Sequence, residues 1–448
     1  MYRKAFVKLA EWKASPRRKP LILKGARQVG KTWLMKEFGR QNYEKNFYFS
    51  FEKDAELAKI FATNKDPYRI VSLLGAVKND KIEKEKHLII FDEIQECPDA
   101  LNSLKYFCED ANEYHVVAAG SLLGTLLAEP MSYPVGKVNL LDVYPMDFEE
   151  FLGAVNPPLL KYLEETPPHE IISIQHTKLI EQYHDYLIVG GLPECVASWA
   201  EDQNSGTVLQ IQKELLSLYE NDIAKHNKKI DAGRILLVFK SLVTQLSKEN
   251  EKFIYGCVKQ GARAREFEVA IEWLVSAGLV LRIYDVKKSE HPLKAFEDFS
   301  SFKLFFLDVG LAKCAAQVEN KQIVLDSDFQ FKGALTENYC LQQFHANLEN
   351  DIHYYSPAQN YEVDFLLQNE MQIIPVECKS GGNVTSASFK RYRREQQPEL
   401  AIRLSQLEYK EQEDMINVPL YLADRINKLN KENRKGTFGH LSVNPFSN

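Results

Sequence analysis

One run constrains this chain more than any other: Gly25-Ala26-Arg27-Gln28-Val29-Gly30-Lys31-Thr32. It has the GxxxxGK[ST] spacing, follows the apolar stretch PLILK and opens a stretch of helical periodicity. Strand, glycine loop and helix in that order are what a phosphate-binding loop demands. The two glycines let backbone N–H groups wrap phosphate oxygens. The helix N-terminus adds partial positive charge. In this reading Lys31 reaches the β- and γ-phosphates of ATP, and the Thr32 hydroxyl binds Mg²⁺.

A second strand end supports the first. His87-Leu-Ile-Ile-Phe-Asp92-Glu93 is an apolar run closed by two acids. Asp92 is expected to hold the Mg²⁺ through water, and Glu93 to polarise the attacking water as a general base. The following run ends Ala-Ala-Gly-Ser121. Ser121 reads either as a sensor of the γ-phosphate or as a helix N-cap.

Residues 20 to 150 alternate short apolar runs with amphipathic stretches, the pattern of βαβ units around a parallel sheet. Over 448 residues, about three domains of about 150 residues are expected. Hydrophobic residues are 45% and charged residues 26%, so a disordered or fibrous chain is excluded. Lys+Arg 56 against Asp+Glu 62 leaves a net −6. That excludes a bulk polycation but leaves room for a local basic face. No window suggests a membrane span, and the charged N-terminus has no signal-peptide character. The seven cysteines are scattered and never spaced CxxC, which fits a reducing cytosol and argues against disulfides and zinc.

Further along, the reading is helical over 156–229. From 230 to 290 come helix, helix and a β-like stretch, the plan of a winged helix. Lys259, Arg263 and Arg265 lie at or before its second long helix. They read equally as contacts to a DNA backbone or as a solvated helix end. An α/β unit follows over 300–430, then a polar tail over 431–448. Within that unit Asp364 closes a Glu-Val-Asp step, and Glu377-Cys-Lys379 ends the next apolar run. Residues two apart share a strand face, so Glu377 and Lys379 point the same way. This is the PD-(D/E)xK nuclease pattern. Asp364 and Glu377 would hold Mg²⁺ ions, hard cations that prefer carboxylates, and Lys379 would orient water or phosphate. The plain alternative is a lysine that satisfies two buried acids. Lys390, Arg391, Arg393 and Arg394 follow on a helix and suit a phosphate backbone.

With GARQVGKT, FDEIQE and AAGS in order, and with YLIVGGLPE, FKLFFLDVGL, GALTEN and EVDFLL…PVECKSG beyond them, the chain resembles the prokaryotic AAA-type ATPases that carry a C-terminal domain of unknown function. The resemblance covers nearly the whole chain. It implies an AAA-type ATPase core over 1–155, a winged-helix middle and a restriction-endonuclease-like end in which Glu337 is a third acid. Asp222 matches a family acid with no assigned role. One departure stands out: the family's Gly-Arg after the sensing strand is Gly136-Lys137 here. Lysine lacks the planar fork of an arginine finger, which puts neighbour-stimulated turnover in a homo-oligomer in doubt. Arg40, Arg69 and Arg234 remain candidates. The expectation is an ATP hydrolase that acts on double-stranded DNA. Its alternative is a nucleotide-gated sensor whose nuclease-like end is an inactive binding platform.

Overall fold

The structure is a computed structural model. It describes residues 1–54, 56–120, 136–226, 232–248, 252–325, 329, 331–369, 372–381, 385–412 and 414–426. Ser121 lies outside the described residues, as does the tail from 427 on.

The first sheet is five-stranded and parallel, formed by β1 (Leu21–Lys24), β2 (Lys45–Ser50), β3 (His87–Asp92), β4 (His115–Ala119) and β5 (Asn139–Asp142) in the order β2-β3-β4-β1-β5. Its strands are apolar throughout because both faces are covered. Ile22, Ile89, Phe91, Val116 and Ala118 enter one core. Their neighbours Leu21, Leu23, Leu88, Ile90, Val117 and Ala119 enter the other, as a period of two dictates. The order puts β4 between the strand that leads into the phosphate loop and the strand that ends in Asp92.

Helices follow. We label α1 (Ala5–Ala14), α2 (Lys31–Asn42), α3 (Leu57–Ala62), α4 (Pro67–Val77), α5 (Pro98–Asp110), α6 (Phe148–Val155), α7 (Pro157–Glu165), α8 (Ser173–Val189), α9 (Pro193–Asp202) and α10 (Ser205–His226). Next come α11 (Ala232–Leu246), α12 (Tyr255–Val258) and α13 (Ala264–Ser276). α11 buries Ile235, Val238, Phe239, Leu242 and Leu246, and α13 buries Phe267, Ala270, Ile271 and Leu274. That spacing is one face of each helix.

The second sheet has eight strands, β12-β13-β11-β10-β9-β8-β6-β7. Here β6 is Val280–Val286, β7 Glu297–Phe306, β8 Ile352–Ala358, β9 Tyr361–Asn369, β10 Gln372–Cys378, β11 Ile402–Ser405, β12 Lys410–Gln412 and β13 Met415–Pro419. The antiparallel pair β6–β7 follows α13 directly, yet β6 also pairs in parallel with β8 at Tyr284↔His353 and Asp285↔Tyr354. The strands after the middle helices and the strands of the C-terminal unit are thus one sheet. Remaining helices are α14 (Val309–Ala315), α15 (Asn320–Val324), α16 (Lys332–Asn347) and α17 (Ala387–Gln396). Two strands that the sequence reading does not assign, β12 and β13, complete the sheet. β12 has three exposed residues and β13 five buried ones, both too short to show a period.

A buried polar junction fastens the units together. Asp308 N-caps α14 through Leu311 N at 3.1 Å and accepts from Gly191 N at 2.6 Å and Gln342 Nε2 at 3.1 Å. Gln343 Oε1 accepts from Phe148 N at 2.8 Å. A Cβ on Gly191 would stand 2.0 Å from Met146 O, so no larger residue fits between α8 and α9. The motifs YLIVGGLPE, FLDVGL and GALTENYCLQQ meet at this point.

A second junction is ionic. Lys4 Nζ lies 2.6 Å from Asp147 and 3.3 Å from Asp424, Arg3 Nε lies 3.1 Å from Glu150, and Arg425 pairs with Glu149. Burial pushes the Glu150 and Asp424 carboxyls up to about 7, with like charges from Asp147 and Glu149 adding to it. A carboxyl raised in the folded state stabilises fully below its unfolded value, near 4, and loses that contribution as pH rises through 7. We therefore expect this junction to gain about 1–2 kcal/mol per group on going from pH 7.5 to 5.5. Burial holds the His115 imidazole down at about 4, which acts in the opposite direction. The comparison of thermal unfolding in wild type and Glu150→Gln isolates the effect. Parallel pH profiles in the two proteins would refute it.

Candidate nucleotide site and a C-terminal acid–lysine cluster

The phosphate loop spans residues 25–30 between β1 and α2. Gly25, Gln28 and Gly30 have φ of 146°, 66° and 92°. These left-handed turns aim successive N–H groups inward, which makes an anion-binding concavity. Ala26 and Val29 are buried and anchor the loop, whereas Gln28 is exposed. A Cβ on Gly25 would meet Val143 O at 2.2 Å. We expect Gly25→Ala to cost about 1–3 kcal/mol in strain and to weaken nucleotide binding at least about tenfold, since the loop must open to fit the methyl group. Isothermal titration with ATP checks this; wild-type affinity would refute it.

Lys31 begins α2 and is buried, its Nζ donating to Gly25 O at 2.9 Å and Ala26 O at 2.7 Å. Burial lowers its ammonium to about 8, against the pull of Glu93 and Asp92. Thr32 Oγ1 donates to Asp92 Oδ2 at 2.8 Å, and Tyr48 OH donates to the same oxygen at 2.7 Å. Hydroxyl and carboxylate thus face each other across α2 and β3, the donor set that suits a hexacoordinate Mg²⁺. Glu93 sits just past β3 in a left-handed conformation, φ 51°, and its Oε2 accepts from Gln95 Nε2 at 2.6 Å.

Three groups that the sequence reading does not place in the site hold the loop from outside. Arg3 donates to Val29 O at 3.0 Å and Tyr144 O at 2.7 Å. Tyr219 OH donates to Arg27 O at 2.8 Å. Asp222, on α10 with Tyr219, accepts from Arg27 Nη1 at 2.8 Å; the acid without a role is a loop partner. Gly278, just after α13, also packs on the loop, and a Cβ there would lie 3.4 Å from Ala26 N. Lys137 pairs with Glu109 on α5 at 2.8 Å and Arg40 pairs with Glu37. Arg69 Nε donates to Asn64 Oδ1 at 2.7 Å, and Arg234 Nη1 donates to Glu266 O at 3.2 Å.

In the second sheet, Asp364 lies on β9, Glu377 on β10, Lys379 just beyond it and Glu337 on α16. The β8–β9 register slips between His353↔Leu366 and Tyr355↔Val363, a bulge in β9 at Asp364, and bulges re-aim side chains beside sites. Asp364 Oδ2 accepts from Cys378 N at 2.7 Å, and Lys379 Nζ lies 2.7 Å from Glu377 Oε1. Burial, with Glu377 and Glu337 crowding it, pushes the Asp364 carboxyl well above the usual carboxylate range. Among the described residues, the buried Glu377 Oε2 accepts no hydrogen bond.

The sequence reading misses Lys303 on β7. Its side chain is fully buried, 2.5 Å from Glu362 Oε1 and 3.7 Å from Glu337 Oε2. A lysine inside SFKLFFL is the signal that marks it. The acids interact over Coulombic range, but among the described residues no three His, Cys, Asp or Glu side chains converge at metal-ligating distance. Ligation needs oxygens about 2–2.6 Å from one point, a stricter demand than mutual repulsion. On α17, Arg391 pairs with Glu395 and Arg393 with Asp414, while Lys390 and Arg394 are exposed. Lys259, Arg263 and Arg265 are exposed around the start of α13. Among the described residues, no helix is long and apolar enough to cross a membrane.

Comparison with known proteins agrees with the first of these sites. Residues 17–152 match the family described as an AAA domain, 180–322 a domain of unknown function (DUF8612), and 332–422 another (DUF4143). The uncharacterized protein MJ1544 of Methanocaldococcus jannaschii is 22% identical over 371 residues, 80% of this chain and 74% of that protein. Among solved structures, the Walker-type ATPase PABY2304 of Pyrococcus abyssi is similar at 14% identity and TM-score 0.46, over 70% of this chain and 95% of that one. The RuvB Holliday junction branch migration motor of Thermotoga maritima is 12% identical at TM-score 0.31, over 73% and 96%. The Aeropyrum pernix ORC1 protein in complex with DNA is 13% identical at TM-score 0.29, over 70% and 91%. Residues 17–152, which hold the phosphate loop, therefore match an AAA domain, and the two regions that follow match families whose descriptions assign no function.

Proposed function

We propose that this chain binds and hydrolyses ATP with Mg²⁺ and couples the occupancy of its phosphate loop to double-stranded DNA held by the middle and C-terminal units. The observation that carries the reading is the set of contacts on the loop. Arg27 is held by Asp222 and Tyr219 of α10, and Ala26 lies against Gly278 after α13. Lys31, folded onto two loop carbonyls, turns to the phosphates. Thr32 and Asp92 would hold Mg²⁺, which would supply positive charge beside the phosphates. Glu93 accepts the proton of the attacking water. Any shift of the loop is felt directly by α10 and by the α13–β6 turn. From there it passes into β6 and the shared sheet.

The basic groups support a nucleic-acid partner. Lys259, Arg263 and Arg265 form one exposed cluster, and Lys390 and Arg394 are exposed on α17. Asp364, Glu377, Lys379 and Glu337 match a metal-dependent nuclease in residue type, and we derive no cleavage step from them. The second reading, a nucleotide-gated sensor whose C-terminal unit binds without cutting, is favoured by Lys303, which supplies positive charge among these acids where a nuclease would use metal. Supercoiled plasmid with Mg²⁺ or Mn²⁺, with and without ATP, separates the readings. Nicking by wild type that is lost in Lys379→Ala supports the nuclease. DNA-stimulated ATP turnover, with or without nicking, supports the coupling to DNA. Turnover indifferent to DNA, with no salt-dependent DNA binding, defeats that reading and leaves the sensor.

A further inference from the structure

A cavity of about 1060 Å³ lies away from both sites, between α10, α11, α14 and the segment leading into α15. Leu209, Leu216, Phe239, Val243 and Phe306 give it apolar walls. Its charged lining is unbalanced, with Lys213, Lys240, Lys313 and Lys321 against Glu220 and Glu319. Lys240 and Glu220 satisfy each other at 3.2 Å, and Glu319 caps α15.

That leaves Lys313. It stands in the last turn of α14, is 2% exposed, and its side chain makes no ion pair or hydrogen bond among the described residues. Burial lowers its ammonium below the usual lysine value. Lys213, exposed on α10, lines the same cavity. A cation set among apolar walls is costly unless something neutralises it. The volume is at the upper end of small-molecule sites, about 300–1,000 Å³, which combine apolar walls with few polar anchors.

We propose that this cavity is a binding site for an amphipathic organic anion, its carboxylate or phosphate held by Lys313 and Lys213 and its aliphatic or aromatic body lying on Phe239, Phe306 and Leu216. The site is independent of the phosphate loop. It is tested in a Lys31→Ala background, which removes the phosphates' grip at that loop.

The probe is 1-anilinonaphthalene-8-sulfonate, an anion on an apolar body, titrated by fluorescence into the full chain. One saturable site per chain is expected, weakened about tenfold or more by Lys313→Met and kept by Lys313→Arg, as loss of one charge-assisted hydrogen bond requires. Displacement by decanoate assigns a carboxylate ligand, and displacement by AMP a phosphate. If Lys313→Met does not fold, Val243→Trp fills the chamber and should abolish binding. Unchanged affinity in the folded Lys313→Met, binding that survives Val243→Trp, or displacement by neither anion would overturn the proposal.

Discussion

Lys31→Met is expected to reduce ATP turnover by about a thousandfold while making the unliganded protein more stable. The two effects have one cause. Lys31 is buried against loop carbonyls, and burial holds its ammonium at about 8. A lysine depressed in the folded state contributes stability above its unfolded value near 10.5 and loses it as pH falls through 8. At pH 7 it therefore costs folding about 1–3 kcal/mol, which methionine relieves. The same charge is what phosphate oxygens require, so removing it takes away a transition-state contact worth about 3–4 kcal/mol. Glu93→Gln should differ: nucleotide still binds, but turnover falls about a hundredfold or more as the general base is lost. Coupled-assay turnover and thermal unfolding at pH 7 and 9.5 check both. The stability gain of Lys31→Met should shrink at the higher pH. Retained turnover in Lys31→Met would remove the phosphate loop from the chemistry.

Lys303→Met should be the most damaging single change in the C-terminal unit. It leaves Glu337 and Glu362 without the buried cation between them. Breaking a buried pair from one side costs about 3–5 kcal/mol. Hydrogen exchange of β9 amides is the readout, since it reports this unit by itself. Lys379→Met strips a partly exposed lysine from the buried Glu377 and should cost less than Lys303→Met, because water reaches the lysine side of that pair. If the two variants cost the same, Lys303 does not organise the cluster.

The legible parts of this molecule are those where local spacing carries chemistry or period. The phosphate loop, Asp92 and the strands around them follow from motif and apolar runs, because a parallel strand covered on both faces has no alternation to obscure. Glu377 and Lys379, two residues apart at the end of β10, pair with each other. What the sequence hides is contact at long separation. Arg3 reaches Val29, Asp222 reaches Arg27 and Asp308 reaches Gly191, and no short window contains such pairs. Lys303 is the intermediate case. A charge inside an apolar strand is visible, but its two acid partners sit on α16 and β9. β13 gives no period to read because all five of its residues are buried, the polar Asn417 included.

The parallel pairing of β6 with β8 has a practical corollary for anyone dividing this protein. The natural place to cut would be between 322 and 332, where neither domain family reaches. That cut separates β6–β7 from β8–β13. Each half would then present a raw strand edge of unpaired N–H and C=O groups to other molecules. Fragments made this way should clump or swap strands with one another, and mixing the two halves should restore a monodisperse particle.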